Sequence, residues 1–275
     1  MLYEKYDLDV PYEKLGVTSD GCRAVLTAVV PDSLPNDTRG IGRSAVVICP
    51  GGAYSYCSVR EAEPVAMRFA SFGIASFVLN YSCKKLFPTN LGELAMAVAF
   101  VRKNAEKYGV DPERIFICGF SAGGHLAASL GVHWNKAFLY EKLGVSSEMI
   151  KPKGQILCYP VITSGEKRHD ETILNIIGRD ENEELKQLVS LEKQVDSDTL
   201  PTFIWCTRDD ELVPAENTLL FTMALAQHNI PFASHIFSSG VHGLALCDES
   251  TANYDGHINK ECSEWVRMAV EWMSK

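Results

Sequence analysis

The amino-acid sequence predicts an α/β protein with a mostly parallel, twisted central sheet and helices on both faces. Three observations lead there. Between residues 44 and 130 the chain alternates apolar runs of strand length with amphipathic runs of helix length, the order that builds parallel sheets. The strand-length runs are continuously apolar and rich in β-branched residues, as strands buried on both faces must be. Finally, 275 residues with 46% hydrophobic content can enclose one large core, so a single domain over 1–275 is expected.

Residues 1–43 contain one expected strand, 24–30, followed by a turn-rich stretch with Pro31, Pro35, Asn36, Asp37 and Gly40. Together they should form an antiparallel edge of the sheet. The next strand, 44–49, ends abruptly in Pro50-Gly51-Gly52-Ala53-Tyr54. Helical spacing of Val65, Ala66, Phe69 and Phe72 predicts a helix over 61–72, with Pro64 tolerable in its first turn and Gly73 stopping it. A strand over 74–81 and a long amphipathic helix over 91–108, closed by Gly109, come next. The strand at 114–118 leads into an alanine-rich helical run, 126–130, and 155–161 continues the sheet. Residues 163–199 break the pattern: they are charged and polar, with short apolar stretches such as 173–177. They should form a small helical excursion above the strand ends, either a lid or a long loop carrying short helices. A strand (202–207), a helix (215–227), a strand (232–237) and a closing amphipathic helix (260–273) complete the chain.

Charge and cysteine usage narrow the function. The formal net charge is −9 and there is no basic block, so a nucleic-acid partner is not expected. The N-terminus is polar and acidic, without the basic-then-apolar order of a signal peptide. No stretch approaches the roughly 18 apolar residues of a membrane span. Of the nine cysteines, Cys49, Cys118, Cys158 and Cys206 lie in runs that read as buried strands, and no close C-x-x-C pair suggests zinc. A reducing, cytoplasmic setting is expected.

The stretch Gly119-Phe120-Ser121-Ala122-Gly123-Gly124-His125 joins a strand to a helix, the context in which Gly-x-Ser-x-Gly means a nucleophile elbow. A serine there needs a strained backbone and small neighbours, and Gly119, Ala122, Gly123 and Gly124 supply the room. Its hydroxyl would stand clear of the sheet, beside the outward-facing amide of Ala122 at the helix start. A serine hydroxyl is a poor nucleophile until a histidine takes its proton and a carboxylate fixes that histidine's tautomer. Both follow Ser121 in the expected order. The acid candidate is Asp210, just past the carboxyl end of a strand, with Asp209 its nearest rival. The base candidate is His242, in the glycine-bracketed loop Gly240-Val241-His242-Gly243. His235 lies inside a strand and reads as a packed or surface residue, while His125, His133, His169, His228 and His257 fail on order or context. Gly52 and Ala53, after the strand 44–49, are the candidates for further oxyanion donors, with Gly51 the alternative if the loop is shifted by one.

Pro50-Gly51-Gly52-Ala53-Tyr54, Arg60-Glu61-Ala62-Glu63-Pro64-Val65-Ala66, the elbow, the Asp210-x-x-Val213-Pro214 turn and Gly240-Val241-His242-Gly243 together resemble the α/β-hydrolase esterases of the acetyl-xylan and feruloyl esterase-like group. The resemblance runs from about Ala45 to the closing helix. It implies the α/β-hydrolase fold, with Ser121 as nucleophile, Asp210 as acid, His242 as base, and Gly52, Ala53 and Ala122 as oxyanion donors. Two positions depart from the group's pattern. Ala53 replaces a usual third glycine, which narrows the room beside the acyl group, and Cys206 stands where histidine is frequent. The implied activity is hydrolysis of carboxylic esters through an acyl-serine, with short acyl groups on sugars such as xylo-oligosaccharides the expected substrates and no cofactor or metal. A peptidase or amidase with the same triad and a catalytically silent ligand-binding protein are the alternatives. A homo-oligomer is compatible with this reading. Tyr54 and Arg60 stay outside the catalytic set, since Tyr54 could pack over the elbow and Arg60 could pair with Glu61 or Glu63.

Overall fold

The computed structural model describes residues 1–32, 42–179 and 182–275. The turn signals at Pro35, Asn36, Asp37 and Gly40 lie outside the described residues. Among those described, one sheet contains β1 (Leu2–Asp7), β2 (Val25–Val30), β3 (Arg43–Cys49), β4 (Ala75–Asn80), β5 (Val110–Phe120), β6 (Gly154–Cys158), β7 (Thr202–Thr207) and β8 (Phe232–Phe237). Its order is β1-β2-β4-β3-β5-β6-β7-β8. The pairings β1–β2 and β2–β4 are antiparallel and all others parallel. The helices are α1 (Glu63–Ser71), α2 (Thr89–Lys103), α3 (Ala105–Tyr108), α4 (Ala122–His133), α5 (Ala137–Leu143), α6 (Ser147–Ile150), α7 (Asp170–Ile177), α8 (Glu183–Val189), α9 (Glu216–Gln227) and α10 (Trp265–Met273).

Alternation along each strand sorts the core into two layers. On β5, Ile115 and Ile117 point to one face, where α2, α4 and α9 bury Leu94, Leu126 and Phe221. Phe116, Cys118 and Phe120 point to the other, where α1 and α10 bury Phe69 and Trp265. There the Phe120 ring meets Trp265 edge-on at 5.7 Å, and Trp205 stacks on Trp265 at 5.7 Å. Such pairs contribute about 0.5–1.5 kcal/mol each beyond area burial and make a firm floor under the carboxyl ends of β5, β6 and β7.

The expected edge needs correction. The sequence reading placed one strand in 1–43, but β1 also forms and is the outer strand, pairing Leu2 with Val30 through Asp7 with Val25. Its side chains alternate between half-buried and exposed. The helix expected over 91–108 breaks at Asn104, whose side-chain Nδ2 donates to Phe100 O at 2.8 Å and competes with the helix backbone. The strand expected at 114–118 begins earlier, with Val110 opposite Arg43. α5 and α6 fill the stretch between elbow helix and β6, which the sequence reading left without elements.

The excursion at 163–199 carries α7 and α8 and is docked rather than detached. Ile173, Ile176 and Ile177 of α7 join the main core. Two buried histidines of α4 hold the end of α8: His125 Nε2–H donates to Val189 O at 2.9 Å and His133 Nε2–H to Leu188 O at 3.1 Å. Burial pushes both imidazoles down from 6.5 to about 4. The folded protein therefore refuses protons that the unfolded chain accepts below pH 6.5, so the stabilisation is complete above that pH and is lost as pH falls toward 4. Each histidine should remove about 2 kcal/mol of stability between pH 6.5 and 5. Urea unfolding at pH 7.5, 6 and 5 measures this. The slope should flatten in His133→Asn, and equal pH slopes in both proteins would contradict it.

Candidate active site

Six parallel strands, β3 to β8, end on one rim, and the loops that follow β3, β5, β6, β7 and β8 carry the residues of the site. At the end of β5, Ser121 has φ +53° and ψ −116°, a conformation that side-chain-bearing residues avoid. Its neighbours hold it. Ser121 N donates to Cys158 O at 3.0 Å, and Ser121 O accepts from His125 N at 3.0 Å and Val161 N at 3.1 Å. The glycines are required by close approach: a Cβ on Gly119 would lie 2.0 Å from Gly123 O, and one on Gly123 would lie 2.1 Å from Cys49 O. Strand, loop and helix thus pass at backbone contact.

The Ser121 hydroxyl donates to His242 Nε2 at 2.8 Å, and His242 Nδ1–H donates to Asp210 Oδ2 at 2.6 Å. Asp210 Oδ1 accepts from the amides of Leu212 at 3.0 Å and Val213 at 2.9 Å. The Asp210 side chain is 1% exposed and that of His242 14%, so the carboxylate is shielded while the imidazole reaches solvent. Asp209 points elsewhere, pairing with Arg208 at 2.6 Å on the surface. Of the two adjacent aspartates, the structure therefore brings Asp210 to the histidine. His235 packs against the Phe203 ring at 5.1 Å, away from this relay. Cys206 is buried in β7, and burial pushes its thiol up to about 11.

The loop after β3 lies against the elbow. Gly51 N donates to Glu61 Oε2 at 2.8 Å, which takes that amide out of contention as an oxyanion donor. Among the described residues the amides of Gly52, Ala53 and Ala122 have no protein acceptor. Gly52 has φ +122°, and a Cβ there would lie 2.2 Å from Tyr56 O. Ala53 and Tyr54 follow at φ +53° and +57°, a left-handed pair that costs roughly 1–2 kcal/mol per residue. Outside contacts maintain it: Asn175 Nδ2 of α7 donates to Ala53 O at 2.8 Å, and Lys84 N donates to Tyr54 O at 2.7 Å. Tyr54 is buried and its hydroxyl donates to His125 Nδ1 at 2.9 Å.

Several residues at the site have no catalytic role in the sequence-based expectation. Tyr159, at φ +38° after β6, sets its ring edge-on to His242 at 5.1 Å. Glu61 was expected at a helix start but lies in the one-turn helix Val59–Glu61 and is buried. Arg60 does not pair with its acidic neighbours. Its guanidinium donates to Gly243 O at 2.9 Å and to Thr251 O. His169 caps α7 through Thr172, and its pKa is lowered by burial and by the charge of nearby His242. Beside His242 opens a cleft of about 450 Å³ lined by Asp209, Glu211, Leu212, Gly240, Val241 and Gly256.

Residues 33–225 match the family model described as BD-FAE. Endo-1,4-beta-xylanase B of Butyrivibrio fibrisolvens is 39% identical over 239 residues, which cover 84% of this chain and 37% of that protein. An acetylxylan esterase of Xylanibacter ruminicola is 28% identical over 243 residues, covering 85% of this chain and 47% of that one. The chain thus spans less than half the length of these two relatives. Among solved structures, a carboxylesterase from Lactobacillus plantarum superposes with a TM-score of 0.86 at 28% identity, covering 100% of this chain and 97% of that one.

Proposed function

Because the chain belongs to the BD-FAE family, within the α/β-hydrolase esterases of the acetylxylan and feruloyl esterase-like group, we propose that it hydrolyses carboxylic esters through an acyl-Ser121 intermediate. The observation that carries this reading is the unbroken relay from the Ser121 hydroxyl through His242 to a shielded Asp210, with three unpaired amides beside the serine. His242 Nε2 takes the hydroxyl proton as Ser121 Oγ attacks the ester carbonyl. The tetrahedral oxyanion is held by the amides of Ala122, Gly52 and Ala53, and one such donor contributes on the order of 3 kcal/mol to the transition state. His242 then protonates the departing alkoxide, leaving an acyl ester on Ser121. Water, deprotonated by His242, attacks that ester and releases the acid. No cofactor enters this sequence.

The substrate we favour is a short acyl ester of a sugar, such as an acetylated xylo-oligosaccharide. The acetylxylan esterase among its relatives supports this. So does the strained Ala53, whose methyl group stands where a glycine would leave more space. No helix among the described residues is long and apolar enough to cross a membrane. All nine cysteines of residues 1–275 are free, which fits the cytoplasmic setting we assign. Hydrolysis of p-nitrophenyl acetate, butyrate and octanoate beside acetylated xylo-oligosaccharides tests the proposal. Acetate should be fastest and acetate should be released from the sugar. Fastest turnover of octanoate, or of a matched amide, would overturn the substrate assignment.

A further inference from the structure

We propose that Glu61 is a positioning residue that sets the oxyanion loop and the base loop together from one buried carboxylate. This rests on the reading of Ser121, Asp210 and His242 as a triad. Glu61 is 4% exposed, and each of its oxygens has a different partner. Oε2 accepts from the amide of Gly51 at 2.8 Å, and Oε1 accepts from the Tyr159 hydroxyl at 2.7 Å. The Tyr159 oxygen in turn accepts from Ala245 N at 2.9 Å, three residues past His242. The same phenol ring stands edge-on to the His242 imidazole. One carboxylate is therefore bonded on one side to the residue before Gly52 and on the other, through a single phenol, to the loop that bears the base.

A carboxylate is suited to this place because it only accepts, and both of its partners need an acceptor. Its bond to Gly51 N orients the Pro50–Gly51 peptide, one link before the peptide that carries the Gly52 amide, and so anchors the loop in which the amides of Gly52 and Ala53 stay unpaired. Its bond to the phenol fixes the hydroxyl as a donor to Glu61, which leaves a lone pair for Ala245 N. Burial and the neighbouring carboxylate push the Tyr159 phenol well above its ordinary pKa, so it stays a donor throughout the working range. Arg60, one residue earlier, reinforces the base side by holding Gly243 O, directly after His242. The short turn Val59–Glu61 is thereby tied to both halves of the machinery while touching no reacting atom itself.

Glutamine at this position can present an oxygen to only one partner. Facing Gly51 N with its oxygen, it turns two N–H donors toward the phenol, whose own proton is orphaned. Glu61→Gln should lower kcat by about 10- to 100-fold with KM changed less than about threefold, because the lost alignment matters only when the oxyanion forms. Affinity for a trifluoromethyl ketone, which forms a tetrahedral adduct on the serine, should fall by about the same factor as kcat/KM. Tyr159→Phe keeps the ring against His242 and the Gly51 bond. It should lose about 3- to 10-fold in kcat, and the double variant should lose less than the product of the singles. Glu63→Gln, half-buried in the first turn of α1 and bonded to neither loop, is the control and should match wild type. Unchanged kcat and ketone affinity in Glu61→Gln would overturn the proposal, as would equal losses in kcat/KM and in binding of a non-reactive alcohol analogue of the ketone. Wild type and Glu61→Gln should both be labelled at Ser121 by a fluorophosphonate. Absence of that label in wild type would instead sink the triad reading on which the proposal stands.

Discussion

Ser121→Ala should lower kcat for p-nitrophenyl acetate by between roughly ten-thousand-fold and a million-fold while the protein remains folded. The size of the loss follows from the chemistry. On the proposed mechanism no acyl-enzyme can form without Oγ, and what would remain is polarisation of a bound carbonyl by the amides of Gly52, Ala53 and Ala122 for direct attack by water. Stability should barely change. The backbone of Ser121 is held by its bonds to Cys158 O, His125 N and Val161 N, none of which involves the side chain. The substitution gives up one hydrogen bond, to His242, worth about 1 kcal/mol and a shift of about 2–4 °C in Tm. Turnover and a thermal melt on the same preparation read both quantities. A variant that keeps more than about a hundredth of wild-type kcat would mean that another group performs the attack.

Asp210→Asn should cost about ten-thousand-fold in kcat, again with the fold intact. Asp210 Oδ1 accepts from the amides of Leu212 and Val213. An asparagine would keep its oxygen there and turn its NH2 toward His242 Nδ1. The imidazole would then carry its proton on Nε2, facing the Ser121 hydroxyl with a donor where an acceptor is needed. Asp209→Asn is the matched control, because Asp209 pairs with Arg208 at the surface and does not reach the imidazole. It should stay within about twofold of wild type. Steady-state kinetics of the two variants checks this, and comparable losses in both would show that the acid has been assigned to the wrong carboxylate.

Much of this arrangement was legible in the sequence because it depends on local chemistry. Residues 45–49 of β3, 115–120 of β5, 156–158 of β6 and 203–206 of β7 are buried and form unbroken runs without a charged or strongly polar side chain. The elbow needs glycines where backbones touch, and Gly119 and Gly123 meet neighbouring carbonyls for that reason. The order of serine, acid and base along the chain follows from the order of the strands. What stayed hidden depends on contacts between distant segments. β1 carries Glu4, Lys5 and Asp7 on a half-exposed edge, so its pattern is weak. Whether Asp209 or Asp210 faces the base turns on one residue of loop geometry. Glu61 looked like an ordinary first-turn acid because its partners, Gly51, Tyr159 and through it Ala245, lie 10, 98 and 184 residues away. The docking of α7 on the loop after β3, through the bond from Asn175 to Ala53 O, is likewise a tertiary contact with no motif of its own.

The most direct test of a covalent serine mechanism is labelling with a fluorophosphonate followed by peptide mapping of wild type, Ser121→Ala and His242→Ala. A single label on the peptide that contains Ser121 is expected in wild type, with none in Ser121→Ala and strongly slowed labelling in His242→Ala. A label on another residue, or labelling that survives in Ser121→Ala, would contradict it.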